Sequence, residues 1–308
     1  MDETRYREAE LPLWESLGLS PTEERVRLKR ANVTVRVQEV GDGPAVLFVH
    51  GASNSGASWA GLVARMSGFR CLMLDRPGAG LSDPLPAAFE DVESLAKFSD
   101  SFVIDVLDAL DLDSAHLVAT SYGGFAALRA AAAHSDRVDR IVIFGWTMGA
   151  PNPRLPALMR AASVPAVGRV LSRIPVNERA VRAMFRQIGL RRALETGRIQ
   201  QEVIDCYVAL LRYTDTMRNE LEVGRWTMTR KGLHEAIVLP HELLSSIQAP
   251  IYFLWGEEDP FGSPEVAREF VKHIPNAELE LLPGAGHAVW LDDAEHAAKV
   301  TSSFLTED

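Results

Sequence analysis

An α/β fold, built on a mostly parallel sheet with helices on both faces, is what this sequence predicts, and three observations predict it. Short, continuously apolar runs recur along the chain (AVLFV, RCLML, HLVA, RIVIF, IYFLW and LELL), as strands covered on both faces should read. Helical stretches separate most of them, around Trp59–Met66, Val92–Leu110, Phe125–Ala133 and Pro264–Ile274, and strand–helix alternation is the mark of a parallel sheet. The alternation breaks once, between Phe144 and Ile251, where roughly a hundred residues look helical and prolines at 151, 153, 156, 165 and 175 punctuate the start.

Residues 1–24 come first. Leu11, Leu13, Trp14 and Leu17 form an apolar cluster suited to a short amphipathic helix docked on the body. The segment is acidic, which suits a membrane surface poorly. From Val26 the chain reads as strands: VRL, then VTVRVQEV with period-two alternation, then a Gly-Asp-Gly-Pro turn into AVLFV. The expected organisation is a core of residues 1–145 and 247–308, with 1–24 as a helical extension and 146–246 as an inserted helical unit. That insertion holds 15 lysines and arginines against 9 acids, a net of +6, and leaves −16 on the remainder. The plain reading is that its arginines are solvated or pair with the acidic body; the sharper one is a lid that favours anionic substrates.

Composition excludes several classes. The 308 residues are 47% hydrophobic and 24% charged, enough for a sizeable core. A net charge of −10 argues against nucleic acid as partner, since phosphate binding needs a basic face. Cys71, inside an apolar run, reads as a buried free thiol, and with Cys206 it makes neither a disulfide framework nor a zinc site. The first residues, MDETRYREAELPLWESLGL, lack the basic stretch and apolar core of a signal peptide. No run reaches the roughly 18 apolar residues that span a bilayer. The expectation is a cytoplasmic enzyme with a small-molecule substrate, no metal, no cofactor and no stable membrane insertion; oligomeric state is not legible.

In open α/β sheets chemistry collects at the carboxyl ends of the strands. Five ends carry unusual residues: HGASNSGASW after AVLFV, DRPGAGLSD after RCLML, TSYGG after HLVA, GEEDPFG after IYFLW and GAGHAVW after LELLP. RIVIF leads into GWTMGAP, with no acid nearby.

These residues resemble the alpha/beta-hydrolase superfamily over about 25–145 and 247–308, with the insertion where that family carries its cap. The resemblance implies the alpha/beta-hydrolase fold: a mainly parallel eight-stranded sheet flanked by helices, with an inserted helical cap. It also implies a nucleophile on the turn after the fifth strand and the chain order serine, acid, histidine, filled here by Ser121, Asp259 and His287. Glu257 and Glu258 are neighbouring acids, but Asp259, followed by Pro260, matches the family pattern best. Asp292 and Asp293 are expected to cap the final helix.

A serine hydroxyl is a poor nucleophile at neutral pH, so His287 would take its proton and return it to the leaving group, with Asp259 fixing the imidazole tautomer. Tyr122 N–H and Ala52 N–H would form the oxyanion hole, although HGAS is also a plain tight turn. Ser53, Asn54 and Ser55 offer further polar groups, and Trp59, Tyr122 and Trp290 would shape the pocket. His50 reads as structural. Gly78-Ala79-Gly80 fails as a dinucleotide loop because Asp83 stands where the third glycine belongs. His234 and His241, seven apart, fit no zinc motif. Ala119 replaces the first glycine of G-x-S-x-G, a packing variant that some members carry.

The expected activity is hydrolysis of a small carboxylic ester or lactone through an acyl-enzyme on Ser121. The alternative is a carbon–carbon hydrolase of dienoic keto-acids, whose carboxylates a basic cap would suit; a low-turnover binding protein is a third reading. Relatives that form an alkyl-ester intermediate need an aspartate at the elbow, which this chain lacks.

Overall fold

The structure is a computed structural model and describes residues 1–85, 91–151, 175–229 and 232–307. Eight strands form its central sheet: β1 (Thr22–Leu28), β2 (Val33–Val40), β3 (Ala45–Val49), β4 (Arg70–Asp75), β5 (Ala115–Ser121), β6 (Val138–Thr147), β7 (Ile251–Gly256) and β8 (Ala277–Leu282). Their spatial order is β1-β2-β4-β3-β5-β6-β7-β8. Only β2 runs against its neighbours; every other pairing is parallel.

Period-two alternation divides the apolar runs between two cores, as a sheet covered on both faces demands. Leu47, Val49, Leu117 and Ala119 face one layer, which contains α2 (Val92–Ala109) and α3 (Tyr122–Ala133). Val46, Phe48 and Val118 face the other, with Trp59, Phe144 and Trp290. Helix α2 starts at a capping box, Asp91 Oδ1 accepting the Ser94 N–H at 2.8 Å.

Residues 1–24, expected as a helical extension, hold α1 (Glu3–Ser16), with a buried stripe of Tyr6, Glu10, Leu13 and Trp14, while Thr22–Glu24 already belong to β1. Leu11, expected in the docking cluster, is exposed. The reason is spacing: 6, 10, 13 and 14 follow i, i+4, i+7, i+8 and share one face. That stripe accepts a carboxylate because Arg36 on β2, 1% exposed, meets it. Its guanidinium binds Glu10 with both Nη atoms, donates from Nε to Glu23 at 2.7 Å, and lies 3.5 Å from Asp75.

Between β6 and β7 the described residues are mainly helical: α4 (Glu178–Gln187), α5 (Gln201–Tyr213) and α6 (Thr216–Thr227), with a two-residue strand pair, Met228–Thr229 with Gly232–Leu233. The proline-punctuated start of this insertion lies mostly outside the described residues. Two further helices, α7 (Pro264–Val271) and α8 (Ala294–Leu305), complete the layers. Among the described residues no helix is long and apolar enough to cross a membrane.

Candidate active site

Ser121 ends β5 and precedes the first residue of α3, with φ 53° and ψ −120°. A non-glycine residue there costs about 1–3 kcal/mol and persists only where its surroundings hold it. Here the Met148 N–H and the Thr147 hydroxyl both donate to the Ser121 carbonyl, at 3.1 and 3.2 Å. The sharp turn needs small flanks. At Gly123 an added Cβ would lie 1.9 Å from the Val49 carbonyl oxygen, whereas Ala119 already packs its methyl into the core, fully buried. Gly123→Ala is therefore expected to prevent accumulation of folded protein, and Ala119→Gly to cost no more than about 1 kcal/mol. Soluble yield checks the first, and thermal unfolding of purified Ala119→Gly beside wild type checks the second.

Asp259 and His287 lie together beyond β7 and β8. The Asp259 Oδ2 atom is 2.8 Å from His287 Nδ1 and accepts the Trp146 N–H at 2.7 Å, while Oδ1 accepts the Phe261 N–H at 2.9 Å. Two backbone donors thus orient the carboxylate before the imidazole meets it. Glu257 and Glu258 are exposed instead. The Trp146 contact was not anticipated, because GWTMGAP carries no acid. Its one signal was Gly145, at φ 65°, where a Cβ would meet His287 O at 2.3 Å and Asp259 Oδ2 at 3.0 Å.

Ser121, His287, Ala52 and Tyr122 line one cavity of about 510 Å³, roofed by α4, α5 and α6. Among the described residues no hydrogen bond joins Ser121 Oγ to His287; such contacts commonly tighten only with substrate bound. The Tyr122 N–H opens α3, where the first donors have no partner inside the helix. Tyr122 and Trp290 shape the cavity as expected. Trp59 does not: it is fully buried, its ring tilted against those of Phe48, Phe144 and Trp290. Ser53 and Asn54 line the cavity, whereas Ser55 points into the body towards Tyr6.

The rest of the wall is largely apolar, including Met148, Met184, Met217, Leu211, Val223 and Phe261. Among the described residues one fixed cation lines it, Arg76. Its Nη2 donates to Gly51 O and to Glu220 Oε1, both at 2.8 Å, and the guanidinium lies over the Tyr122 ring at 4.6 Å. The described cap arginines do not line the cavity: Arg182 pairs with Glu178 and Arg218 with Asp215 at the surface. Of the plain reading, solvation or pairing with the acidic body, the described residues show one pair to the body, Arg198 with Asp293 at 3.9 Å.

His50 is structural. Its Nδ1 lies 2.7 Å from Gly51 O and its Nε2 accepts the Arg76 N–H at 3.1 Å. Burial, with Arg76 alongside, pushes its pKa well down, so it stays neutral. Gly78 and Gly80 belong to a turn that ties the cap down: Asn219 donates to Gly78 O, and the Gly80 N–H donates to Thr216 Oγ1. Asp293 caps α8 as expected, accepting the His296 N–H. Asp292 does not cap it. Its Oδ2 turns back to accept the Gly286 N–H at 2.7 Å, fixing the residue before His287, and burial pushes its pKa up to about 7. His234 and His241 bind nothing in common, and no metal-binding cluster of three occurs among the described residues.

A sheet of this order, with a serine on the strained turn after β5 and an aspartate–histidine pair facing its cavity, defines a hydrolase of the α/β class. The alpha/beta hydrolase family model matches residues 46–300, and the chain belongs to that family. It is 24% identical over 302 residues to a 2-hydroxy-6-oxononadienedioate/2-hydroxy-6-oxononatrienedioate hydrolase of Dechloromonas aromatica, covering 95% of this chain and 98% of that protein. The fold is similar to that of a carboxylesterase from Bacillus subtilis (TM-score 0.77, 21% identity, 99% and 98% covered). It is also similar to a 2-hydroxy-6-oxo-6-phenylhexa-2,4-dienoate hydrolase from a Rhodococcus strain (TM-score 0.75, 20% identity, 94% and 99% covered).

Proposed function

We propose that this chain is a serine hydrolase that cleaves the carbon–carbon bond of a dienoic keto-acid carrying one carboxylate and an apolar substituent. Of the two activities expected from sequence, this alternative has more support than the ester reading. Relatives matched over more than nine-tenths of their length are 2-hydroxy-6-oxononadienedioate/2-hydroxy-6-oxononatrienedioate hydrolases, and another is a 2-hydroxy-6-oxo-6-phenylhexa-2,4-dienoate hydrolase. The structural observation that supports it is Arg76, among the described residues the one guanidinium lining a largely apolar cavity that Ser121 also lines. One cation suits one carboxylate. Among the described lining residues a second carboxylate would find no further guanidinium or ammonium group, and burying an unpaired charge is costly.

In this reading His287 takes the Ser121 proton as the oxygen attacks the ketone carbon. The oxyanion then sits on the Ala52 and Tyr122 N–H groups, where each such donor stabilises the transition state by about 2.7–4 kcal/mol. For cleavage the substrate's C2 hydroxyl proton must first have moved to C5, so that the C5–C6 bond breaks with its electrons passing into a dienolate. The dienolate oxygen takes the proton from His287, and water releases the acyl group from Ser121 by the same steps. Asp259 holds the imidazole tautomer throughout.

Purified protein is to be given 2-hydroxy-6-oxo-6-phenylhexa-2,4-dienoate and 2-hydroxy-6-oxononadienedioate, and loss of the dienolate absorbance followed. The expected result is multiple turnover, with kcat/KM at least about tenfold higher for the phenyl compound. One observation favours a second reading, hydrolysis of an uncharged carboxylic ester: Glu220 already occupies Arg76. Turnover of p-nitrophenyl butyrate with neither dienoate cleaved would select it. Stoichiometric binding without product would leave only the low-turnover binding protein.

A further inference from the structure

The loop after β3 is held from outside the sheet. At its centre Ser53 has φ 57°, a conformation that a serine keeps only where neighbours enforce it. Three side chains from separate parts of the chain take hold of the residues that follow. Asp75, at the end of β4, accepts the Gly56 N–H at 2.7 Å. Tyr207, on cap helix α5, donates to Asn54 Oδ1. Tyr6, on α1, is hydrogen-bonded to Glu10 Oε1 at 2.8 Å and to Ser55 Oγ at 3.0 Å.

A phenol has one proton. Given to the Glu10 carboxylate, it leaves the Tyr6 oxygen to accept from the Ser55 hydroxyl. Glu10 is clamped by Arg36, and Arg36 reaches Asp75, so one buried network grips the loop at Ser55 and again at Gly56. Tyr6 is fully buried, and burial together with Glu10 raises its pKa, which keeps the phenol neutral.

We infer that Tyr6 is a positioning residue for the oxyanion loop, and that the N-terminal helix is thereby a working part of the active site. This rests on the reading of Ala52 N–H as an oxyanion donor. Ala52 lies three residues before Ser55, so a loop released at Ser55 lets the peptide at Ala52 turn. An oxyanion donor acts only when it is about 2.7–3.1 Å from the developing charge. Loss of the Tyr6 hydroxyl should therefore lower kcat and leave KM nearly unchanged.

The variants are Tyr6→Phe, Ser55→Ala and the two combined, with Leu13→Ala, buried on the same helix, as a control for helix docking. Two readouts are taken: the rate at which a fluorophosphonate attaches to Ser121, by intact-protein and peptide mass spectrometry, and kcat and KM on whichever substrate turns over. Tyr6→Phe is expected to slow attachment and lower kcat by about five- to thirtyfold, with KM within about twofold. Ser55→Ala should do the same, and the double variant no worse than either alone, because both remove one contact. Leu13→Ala should lower Tm while the folded protein labels within about twofold of wild type. Attachment at the wild-type rate in Tyr6→Phe, or a slowing in Leu13→Ala as large as in Tyr6→Phe, would overturn the inference. If Tyr6→Phe does not fold, Ser55→Ala decides by the same criterion. Wild-type labelling away from Ser121 overturns the underlying site reading, and this inference with it.

Discussion

Ser121→Ala is expected to abolish turnover and leave the fold untouched: kcat falls on the order of 10⁶-fold, to a residue of catalysis that oxyanion donors and binding supply alone, while Tm moves by less than about 2 °C. The separation follows from how the elbow is held. Its strained backbone is fixed by the bonds from Met148 and Thr147 to the Ser121 carbonyl, none of which uses the side chain. The variant would therefore lose the proposed nucleophile and keep the turn. Steady-state kinetics with calorimetry on the same preparation checks both halves. Activity within a hundredfold of wild type would mean that another group attacks the substrate.

Asp259→Asn is the second large effect, a fall in kcat of about 10⁴-fold, and here the fold should respond as well. Both carboxylate oxygens accept protein N–H groups: Oδ1 from Phe261, and Oδ2 from Trp146, with His287 Nδ1 2.8 Å from the same atom. An amide must put its NH₂ at one of those places. At Oδ1 it faces the Phe261 N–H, a buried clash of donors that costs about 1–3 kcal/mol. At Oδ2 it opposes the Trp146 N–H and gives a proton to Nδ1, leaving the other imidazole nitrogen protonated and unable to take the serine proton. Neither orientation keeps both the hydrogen bonds and the tautomer. A variant with full activity would move the acid role to Glu257 or Glu258, which the exposed positions of both make unexpected.

The central sheet was legible because each buried strand is a short apolar run with punctuation on either side. The aspartate–histidine pair was legible because its residues stand immediately after β7 and β8, and fold geometry brings strand ends together. What sequence did not convey are contacts with no local signature. Arg36 and Glu10 are 26 residues apart, each ordinary alone, and together they turn an apolar stripe into one that buries a carboxylate. Leu11 looked like a core residue by hydrophobicity, and helical phase placed it outside. Trp146 orients Asp259 through a backbone N–H, which is invisible to any reading of side-chain types. The cap arginines carried a net charge that composition reports, but composition says nothing of which way a guanidinium faces.

Helix α1 has a consequence for synthesis. Its partner is α5, Gln201–Tyr213, with the Asp2 N–H donating to the Tyr213 carbonyl. A ribosome making roughly 5–20 residues per second needs on the order of 10–40 s to reach that partner after α1 has emerged. Throughout that interval α1 lacks the α5 side of its packing. The polar members of its stripe, Glu10 and the Tyr6 hydroxyl, keep the nascent segment wettable during the delay, and the same groups then lock it once Arg36 and the cap are in place.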